Sequence, residues 1–175
     1  MTDRAVVART PRLLLREADA SDVMFIHELV TQASWSRFIA PSGIETPDDA
    51  RDYIRSRLTG RYAAQGFGLW LICERTSGAA IGMAGLVRRD GLPGPDLGFA
   101  LLDAHVGRGY ALEASRAVIE HAQAALGLTT LYAVVMPHNQ RSLIVLSQLG
   151  FERHPELDAA CADGLEVFSL SLVEG

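Results

Sequence analysis

Two glycines separated by one residue, Gly107 and Gly109, form the part of this sequence whose spacing most directly indicates chemistry. Glycine has no Cβ atom, so the backbone there can adopt positive φ angles and approach a ligand closely. An apolar run of strand length precedes the pair, and a helical pattern begins at Tyr110. The first N–H groups of a helix have no partner within it and lie at the positive end of its dipole. This turn therefore suits an anion such as a pyrophosphate.

A plain strand-to-helix turn is the alternative interpretation of the glycine pair, because many such turns use glycine only to bend tightly. Two familiar nucleotide motifs are excluded. No Lys-Ser or Lys-Thr pair follows the glycines, as a P-loop requires, and no third glycine stands at the dinucleotide-binding spacing. We therefore expect neither a nucleoside triphosphate nor NAD as the ligand.

A second polar stretch follows the next strand of the sequence. Residues 130–136 have the pattern of a strand, and His138, Asn139 and Ser142 come directly after it, where another helical pattern starts. Ligands of sheets with helices on their faces lie beyond the carboxyl ends of parallel strands. Both the glycine turn and the stretch 137–139 fall at such ends, where a ligand is expected.

The sequence has 175 residues, a net charge of −5 and 49% hydrophobic residues. This length predicts one domain, 1–175, with a core that needs no metal or disulfide. The acidic balance argues against a nucleic-acid partner, and no stretch approaches the ~20 apolar residues of a membrane span. Cys73 and Cys161 lack the short spacing of a metal motif. We therefore expect a cytoplasmic protein without a metal and without a nucleic-acid or membrane partner.

The elements that position these residues follow from hydrophobic periodicity. A strand at 12–16 precedes a helix that Ser21 or Asp22 caps and that ends near residue 33. After a loop, Thr46 and Pro47 begin a second helix that ends near residue 58. Further strands are predicted at 67–74, 80–88, 96–102, 130–136 and 165–172, and helices at 110–126 and 139–149. This order predicts an α/β fold, a mixed sheet with helices on its faces.

The sequence motifs, taken in their order along nearly the whole chain, resemble those of the GNAT superfamily of N-acetyltransferases. The glycine turn resembles the acetyl-CoA motif of that family, and the next family motif is matched by Asn139-Gln140-Arg141-Ser142 with the later Leu149-Gly150-Phe151. Shorter matches resemble the RimJ/RimL-like branch: Arg12-Leu13-x-Leu15-Arg16, Gly68-x-Trp70-x-Ile72 with Ile81-Gly82, and Gly98-Phe99.

The resemblance implies the GNAT fold, a central, mostly antiparallel mixed sheet with one splayed parallel strand pair that holds acetyl-CoA. It implies acetyl transfer from acetyl-CoA to a primary amine by direct attack in a ternary complex. The main-chain N–H of Leu101 would stabilise the oxyanion, and Asn139 would bond the pantetheine arm or orient the acceptor, besides capping its helix. The positions matching the family's cofactor-binding residues are Leu102, Asp103, Gly107, Arg108, Gly109, Tyr110, Ala111, Leu112, Asn139 and Ser142.

Two residues depart from the family pattern. Ala104 stands where the family often has Gln or Arg, which removes a side-chain contact but leaves the backbone donors. Leu146 stands where many members carry a tyrosine that serves as the general acid. In the RimJ/RimL-like branch this apolar replacement is usual, and the serine matching Ser142 is the candidate in its place.

The acceptor amine must lose a proton before it attacks, because an α-amine has a pKa of about 8. Asp96 and His138 are the candidate general bases. Each also has a structural interpretation, Asp96 as an acid at the start of a strand and His138 as an exposed loop residue.

The branch implies that the acceptor is the α-amine of a protein or peptide, and it also suggests a homodimer. One alternative is a small amine, such as an antibiotic, a polyamine or an amino-acid-like metabolite. The alternative from another class is a non-catalytic regulator that binds acyl-CoA. A deep acidic pocket would favour a small amine, whereas an open groove would favour a peptide.

The acceptor groove is expected at Trp35, at Phe38 and along the segment 154–164. The acidic residues of that segment would suit a cationic acceptor, or they are simply solvated. They are Glu156, Asp158 and Asp163.

Overall fold

The computed structural model of this chain describes residues 5–162 and 164–173. The strands are β1 Val6–Arg9, β2 Leu13–Arg16, β3 Leu69–Glu74, β4 Ala80–Val87, β5 Asp96–Leu101, β6 Thr130–Val135, β7 Glu152–Arg153 and β8 Glu166–Ser171. They form one eight-stranded sheet in the order β1-β2-β3-β4-β5-β6-β8-β7. The helices are α1 Val23–Thr31, α2 Ala33–Phe38, α3 Pro47–Tyr53, α4 Gly60–Gln65, α5 Tyr110–Ala124 and α6 Gln140–Leu149.

The gap that positions the site lies between β5 and β6, the one parallel pair in the described part of the sheet. Neighbouring strands from β1 to β5 pair antiparallel, as do β6 with β8 and β7 with β8. By contrast, β5 meets β6 at a single register point, Asp96 opposite Tyr132. Beyond that point the strands separate toward their carboxyl ends. Helices α5 and α6 follow these two ends, so both helix N-termini lie near the opening.

Helices cover both faces of the sheet, and each face has its own hydrophobic core. In one core α5 packs through Ala114, Val118 and Ala122, which are fully buried as their helical spacing predicts. In the other core α1 packs against residues of β3 and β4 such as Leu71 and Met83. The predicted fold class, a mostly antiparallel mixed sheet with helices on both faces and one splayed parallel pair, is confirmed. None of the helices within 5–162 and 164–173 combines the length and apolar character needed to cross a bilayer.

The second predicted helix begins where the sequence places it but runs further. Thr46 and Asp49 form a capping box, with Pro47 in the first turn. Beyond Tyr53 the chain continues as a π-helical segment, Ile54–Thr59, and then as α4. A Cβ atom on Gly60 would lie only 2.7 Å from the Arg55 carbonyl oxygen, so glycine fits this wide turn. A search for a period of 3.6 residues does not detect such a turn.

Several short elements were not predicted from the sequence. Helix α2 occupies residues expected to be a loop, and it is separated from α1 by Gln32, whose backbone is extended with ψ of 150°. Strands β1 and β7 and the 3-10 helix Pro155–Ala160 were also not predicted. Elements of two to six residues contain too few side chains to show a period, so their conformation depends on tertiary contacts.

Candidate active site

A cavity of about 450 Å³ lies at the opening between β5 and β6. Its wall combines the end of β5, the glycine turn, helix α2 and the first turns of α5 and α6. The predicted site residues that line it are Trp35, Phe38, Leu101, Asp103, Gly107, Gly109, Tyr110, Ala111, Leu112, Asn139 and Ser142. The sequence motifs therefore converge on one place, although they are separated by up to about a hundred residues along the chain.

The glycine turn has the backbone geometry that its spacing predicts. Gly107 and Gly109 both have φ of +79°, in the left-handed region that favours glycine. Gly109 is the N-cap of α5, and the N–H of Glu113 closes the first helical hydrogen bond, to the Gly109 carbonyl at 3.1 Å. The three N–H groups before Glu113 belong to residues that line the cavity. An anion at this place would meet free backbone donors and the positive end of a 15-residue helix.

Arg12 holds the glycine turn from outside, a contact that was not predicted from the sequence. Its Nε donates to a Glu113 carboxylate oxygen at 2.6 Å, and its Nη1 donates to the Arg108 carbonyl oxygen at 2.9 Å. The guanidinium carbon lies 4.5 Å from the centre of the Tyr110 ring. The available sequence signal was the Arg-Leu-x-Leu-Arg motif at 12–16, which carried the resemblance but indicated no contact. The side chain of Arg108, which was expected to bind the cofactor, does not line the cavity.

The free edge of β5 is set by the alternation of its hydrogen bonds. The N–H of Leu102 donates to the Ile81 carbonyl at 2.8 Å, so the even-numbered residues of this stretch pair with β4. The N–H groups of Phe99 and Leu101 therefore point toward the opening, where β6 has separated from β5. Leu102 was expected to bind the cofactor, but its N–H is engaged within the sheet and Leu102 does not line the cavity. Phe99 was not predicted, although alternation from Leu101 along the strand could have identified it.

Gln32 contacts the same edge of β5 through both ends of its amide. Its Nε2 donates to the Leu101 carbonyl at 2.9 Å, and its Oε1 accepts from the Asp103 N–H at 3.1 Å. The side chain thus bonds this edge as a peptide group of a neighbouring strand would. Asp103 was also expected to bind the cofactor, and its N–H already donates to Gln32. The sequence contains no motif that would identify this glutamine.

A second cavity, of about 630 Å³, adjoins the first. Trp35 and Phe38 of α2, Phe99 and Ala100 of β5, and the pair Asn139 and Ser142 line both cavities. These shared residues form the passage between the two spaces. A ligand held along the free edge of β5 and a second ligand in the larger cavity would meet at this passage.

Asn139 and Ser142 stand at this passage because of how α6 begins. The Asn139 side-chain oxygen accepts a hydrogen bond from the Ser142 N–H at 3.3 Å, so Asn139 caps the helix. Within the described chain the Ser142 hydroxyl has no hydrogen-bond partner, and it is partly buried at the passage. Leu146, at the family's tyrosine position, lines the second cavity and is buried.

Asp96 lines the second cavity and is only 1% exposed. Both of its carboxylate oxygens lie 3.1 Å from Nε of Arg89, which donates to them. Burial raises the pKa of the Asp96 carboxyl to about 6, although the Arg89 guanidinium acts in the opposite direction. A carboxylate with this pKa is ionised at neutral pH and can accept a proton, directly or through water.

His138, the other candidate base, lies outside both cavities. It is exposed, its Nε2 lies 3.3 Å from the Arg37 carbonyl oxygen, and its ring packs against Phe38 at a centroid distance of 5.6 Å. Of the two candidate bases, Asp96 thus lines a cavity of the site and His138 does not. Within the described ranges, no group of three His, Cys, Asp or Glu side chains could hold a metal ion.

The acidic segment expected to receive the acceptor is largely committed to local structure. The two Asp158 oxygens bind Arg153, one of them at 2.7 Å, and that arginine holds the pKa of Asp158 below its usual value. Neither Asp158 nor Glu156 lines either of these two cavities, and Asp163 lies outside the described residues. The charged side chains that do line the second cavity are mostly arginines.

Comparison with known proteins agrees with this geometry. The chain is 26% identical over 144 residues to the N-acetyltransferase YnaD of Bacillus subtilis, covering 82% of this chain and 81% of that protein. An acetyltransferase structure from Agrobacterium tumefaciens is 27% identical, with a TM-score of 0.81 and coverage of 95% of this chain and 94% of the other. RimL, a ribosomal-protein alpha-N-protein acetyltransferase solved in complex with coenzyme A, shares the fold with a TM-score of 0.79 at 17% identity, over 95% and 98% of the two chains.

The family model of the GNAT acetyltransferase domain matches residues 12–152. That range extends from Arg12, which holds the glycine turn, through β5, the glycine turn and α6 to Glu152 at the start of β7. The chain therefore belongs to the GNAT acetyltransferases, and it is an acetyl-CoA-dependent N-acetyltransferase.

Proposed function

We propose that this enzyme acetylates the N-terminal α-amine of a peptide or protein. The observation that carries the proposal is the pair of adjoining cavities that meet at Phe99, Asn139 and Ser142. One cavity has the anion-binding turn, and the other, at about 630 Å³, has room for more than a simple amine. The fold shared with RimL, an alpha-N-protein acetyltransferase, supports an α-amine as the acceptor.

The residues of the first cavity fit acetyl-CoA, whose thioester is the acyl donor that the amine attacks as the bond to sulfur breaks. We assign the pyrophosphate to the turn from Gly107 to Leu112, with Arg108 near it at the surface. Pantetheine would follow the free edge of β5, where the N–H groups of Phe99 and Leu101 are available. One of these two groups would donate to the thioester oxygen as it gains negative charge. Gln32 must share this edge with pantetheine or leave it.

Two side chains handle protons in this proposal. Asp96 accepts the proton that the acceptor ammonium must lose, through water in the second cavity. Ser142 donates a hydrogen bond to the leaving sulfur from its place at the passage. A thiol comparable to cysteine has a pKa of about 8.5, so a hydrogen bond is sufficient and full proton transfer is not required.

The experiment measures CoA release with N-terminally free peptides of one, two, four and six residues, each with an amidated C-terminus. We expect kcat/KM to rise with peptide length, and an N-acetylated peptide as the control should give no release. Because the sequence contains no lysine, the enzyme adds no side-chain amine to the background. Higher kcat/KM for a polyamine or a free amino acid than for every peptide would contradict the proposal and favour a small acceptor. Binding of acetyl-CoA without any release would indicate a non-catalytic regulator.

A further inference from the structure

The second cavity has a charge opposite to that of the whole protein. Its charged lining residues are four arginines and two aspartates, which leaves a net charge of +2, whereas the chain carries −5. The arginines are Arg57, Arg61, Arg88 and Arg89, and the aspartates are Asp90 and Asp96. A positive wall of this kind raises the local concentration of anions and repels cations.

Most of this positive charge is not neutralised within the protein. Arg89 pairs with Asp96, but Arg57, Arg61 and Arg88 form no ion pair with any carboxylate of the described residues. Arg88 instead lies with its guanidinium carbon 5.9 Å from the centre of the Phe67 ring. Helix α3, the π-helical segment and α4 form one continuous helical run, 47–65. On this run the exposed Arg55 is paired with Asp52 at 2.8 Å. Three arginines without a carboxylate partner among the described residues therefore lie in the wall of this one cavity.

The helical run itself directs two of these arginines to the cavity. Arg57 lies in the π-helical segment and Arg61 in the first turn of α4, so the two are four residues, or about one turn, apart. Both line the cavity, and Arg61 is close enough to act electrostatically on the Asp96 carboxylate. A pair of guanidiniums on one face is well suited to a carboxylate, which accepts two hydrogen bonds in a fixed plane.

We propose that the acceptor carries a carboxylate near the amine, and that Arg57 and Arg61 bind it. This inference rests on the proposed function and deepens it. For a peptide acceptor, the carboxylate belongs to an Asp or Glu side chain in the first few residues after the N-terminal amine. Asp96 faces the ammonium end while the arginines face the anionic end, so the cavity matches the two opposite charges of such an acceptor.

The test compares two C-terminally amidated hexapeptides that differ only in having Asp or Asn at positions two and three, at saturating acetyl-CoA. We expect kcat/KM to be at least tenfold higher for the Asp peptide. In the double variant Arg57→Gln with Arg61→Gln, that ratio should fall to near one. Arg55→Gln, on the same helical run but outside the cavity, should keep the wild-type ratio. Thermal unfolding establishes that each variant is folded.

A second comparison identifies the source of the carboxylate. A free amino acid is compared with its amide, which lacks only the α-carboxylate. Preference for the free acid, lost in the double variant, would support the arginine site with a small acceptor in place of a peptide. Equal rates within both pairs, or a preference for Asp that survives in the double variant, would overturn the inference. Absence of acetyl transfer to every one of these amines would instead overturn the proposed function.

Discussion

At the scale of single residues, the buried carboxyl of Asp96 makes the stability of the protein depend on pH. Burial raises the pKa of its carboxyl to about 6 in the folded protein, whereas an unperturbed aspartate has a pKa of about 3.9. Between these two values the folded state binds more protons than the unfolded state. The contribution of this group to stability is therefore fully present below about pH 4 and is lost as the pH rises through 6.

Asp96→Asn should remove this pH dependence. Between pH 4 and pH 7, we expect the free energy of unfolding of the variant to increase relative to that of the wild type. The increase should be roughly 3 kcal/mol, because the pKa of Asp96 is shifted by about two units. Urea denaturation across that range measures the difference. Asp90→Asn, at an exposed aspartate of the same cavity, is the control and should follow the wild type. A constant difference between Asp96→Asn and the wild type would contradict the assigned pKa.

The same variant tests the proton relay. In the wild type, kcat/KM should rise with pH through an ionisation near 6, which the variant should lack. The variant should also be slowest, relative to the wild type, at neutral pH and recover as the pH approaches the pKa of the amine. Identical pH profiles for the two proteins would exclude Asp96 as the base.

Ser142→Ala tests the hydrogen bond to the leaving sulfur. Loss of one such bond to a developing charge costs ~1.5 to 3 kcal/mol, which corresponds to roughly 10- to 150-fold in rate. The measurement is the acetyl-transfer rate at saturating acetyl-CoA. Ser147→Ala is a matched control, because Ser147 is exposed on the same helix and lines neither cavity. A wild-type rate for Ser142→Ala would leave its hydroxyl without a catalytic role.

At the scale of single elements, the glycine turn offers an isosteric test of anion binding. A Cβ atom on Gly107 meets no atom within 4 Å, so a side chain there enters open space. Asn and Asp tolerate the left-handed conformation better than most residues and have nearly the same shape. Gly107→Asp should weaken acetyl-CoA binding at least tenfold relative to Gly107→Asn, which is about 1.4 kcal/mol. Calorimetric titration that gives equal affinities for the two variants would exclude an anion at this turn.

At Gly60, which follows the π-helical segment, we expect alanine to have an unusual effect on stability. Glycine in a helix interior is ordinarily less stable than alanine by roughly 1 kcal/mol, so Gly→Ala in a helix usually stabilises. Here the new Cβ would lie 2.7 Å from the Arg55 carbonyl, and the backbone must move to accept it. We expect Gly60→Ala to destabilise the protein by roughly 1 to 3 kcal/mol, measured by denaturant unfolding. Ala63→Gly, at an exposed position of α4, gives the ordinary helical effect for comparison.

The sequence predicted the elements whose period repeats several times and missed those that tertiary contacts create. Helix α5 buries the stripe expected from its spacing, and the glycine turn has the predicted positive φ angles. Helix α2 has only six residues, and its start depends on the extended backbone of Gln32. The contact of the Gln32 side chain with β5 spans about seventy residues along the chain, and no local pattern could indicate it.

At the scale of the whole molecule, the sequence motifs contain more of the first cavity's wall than of the second cavity's wall. The glycine turn and the start of α6 are contiguous motifs, and both line the first cavity. The second cavity draws its positive charge from Arg57 and Arg61, which lie one helical turn apart, and from Arg88 after β4, and none of them occurs in a motif. The net charge of −5 conceals this local excess of positive charge, because it sums over surfaces that do not meet.

The single register point between β5 and β6 has a consequence for how the molecule unfolds. Strands β1 to β5 form one hydrogen-bonded ribbon and β6 to β8 another, and Asp96 opposite Tyr132 is the only backbone pairing in the described sheet that joins them. Proteins open in cooperative units set by such contacts. We expect amide hydrogen exchange to show lower protection in β6 and β8 than in β3 and β4, and acetyl-CoA to slow exchange most in β6. Uniform protection, unchanged by acetyl-CoA, would contradict this. If acetyl-CoA does slow exchange in β6, the acyl donor takes the place of a strand between β5 and β6. The two ribbons would then be one cooperative unit only while the enzyme holds its substrate.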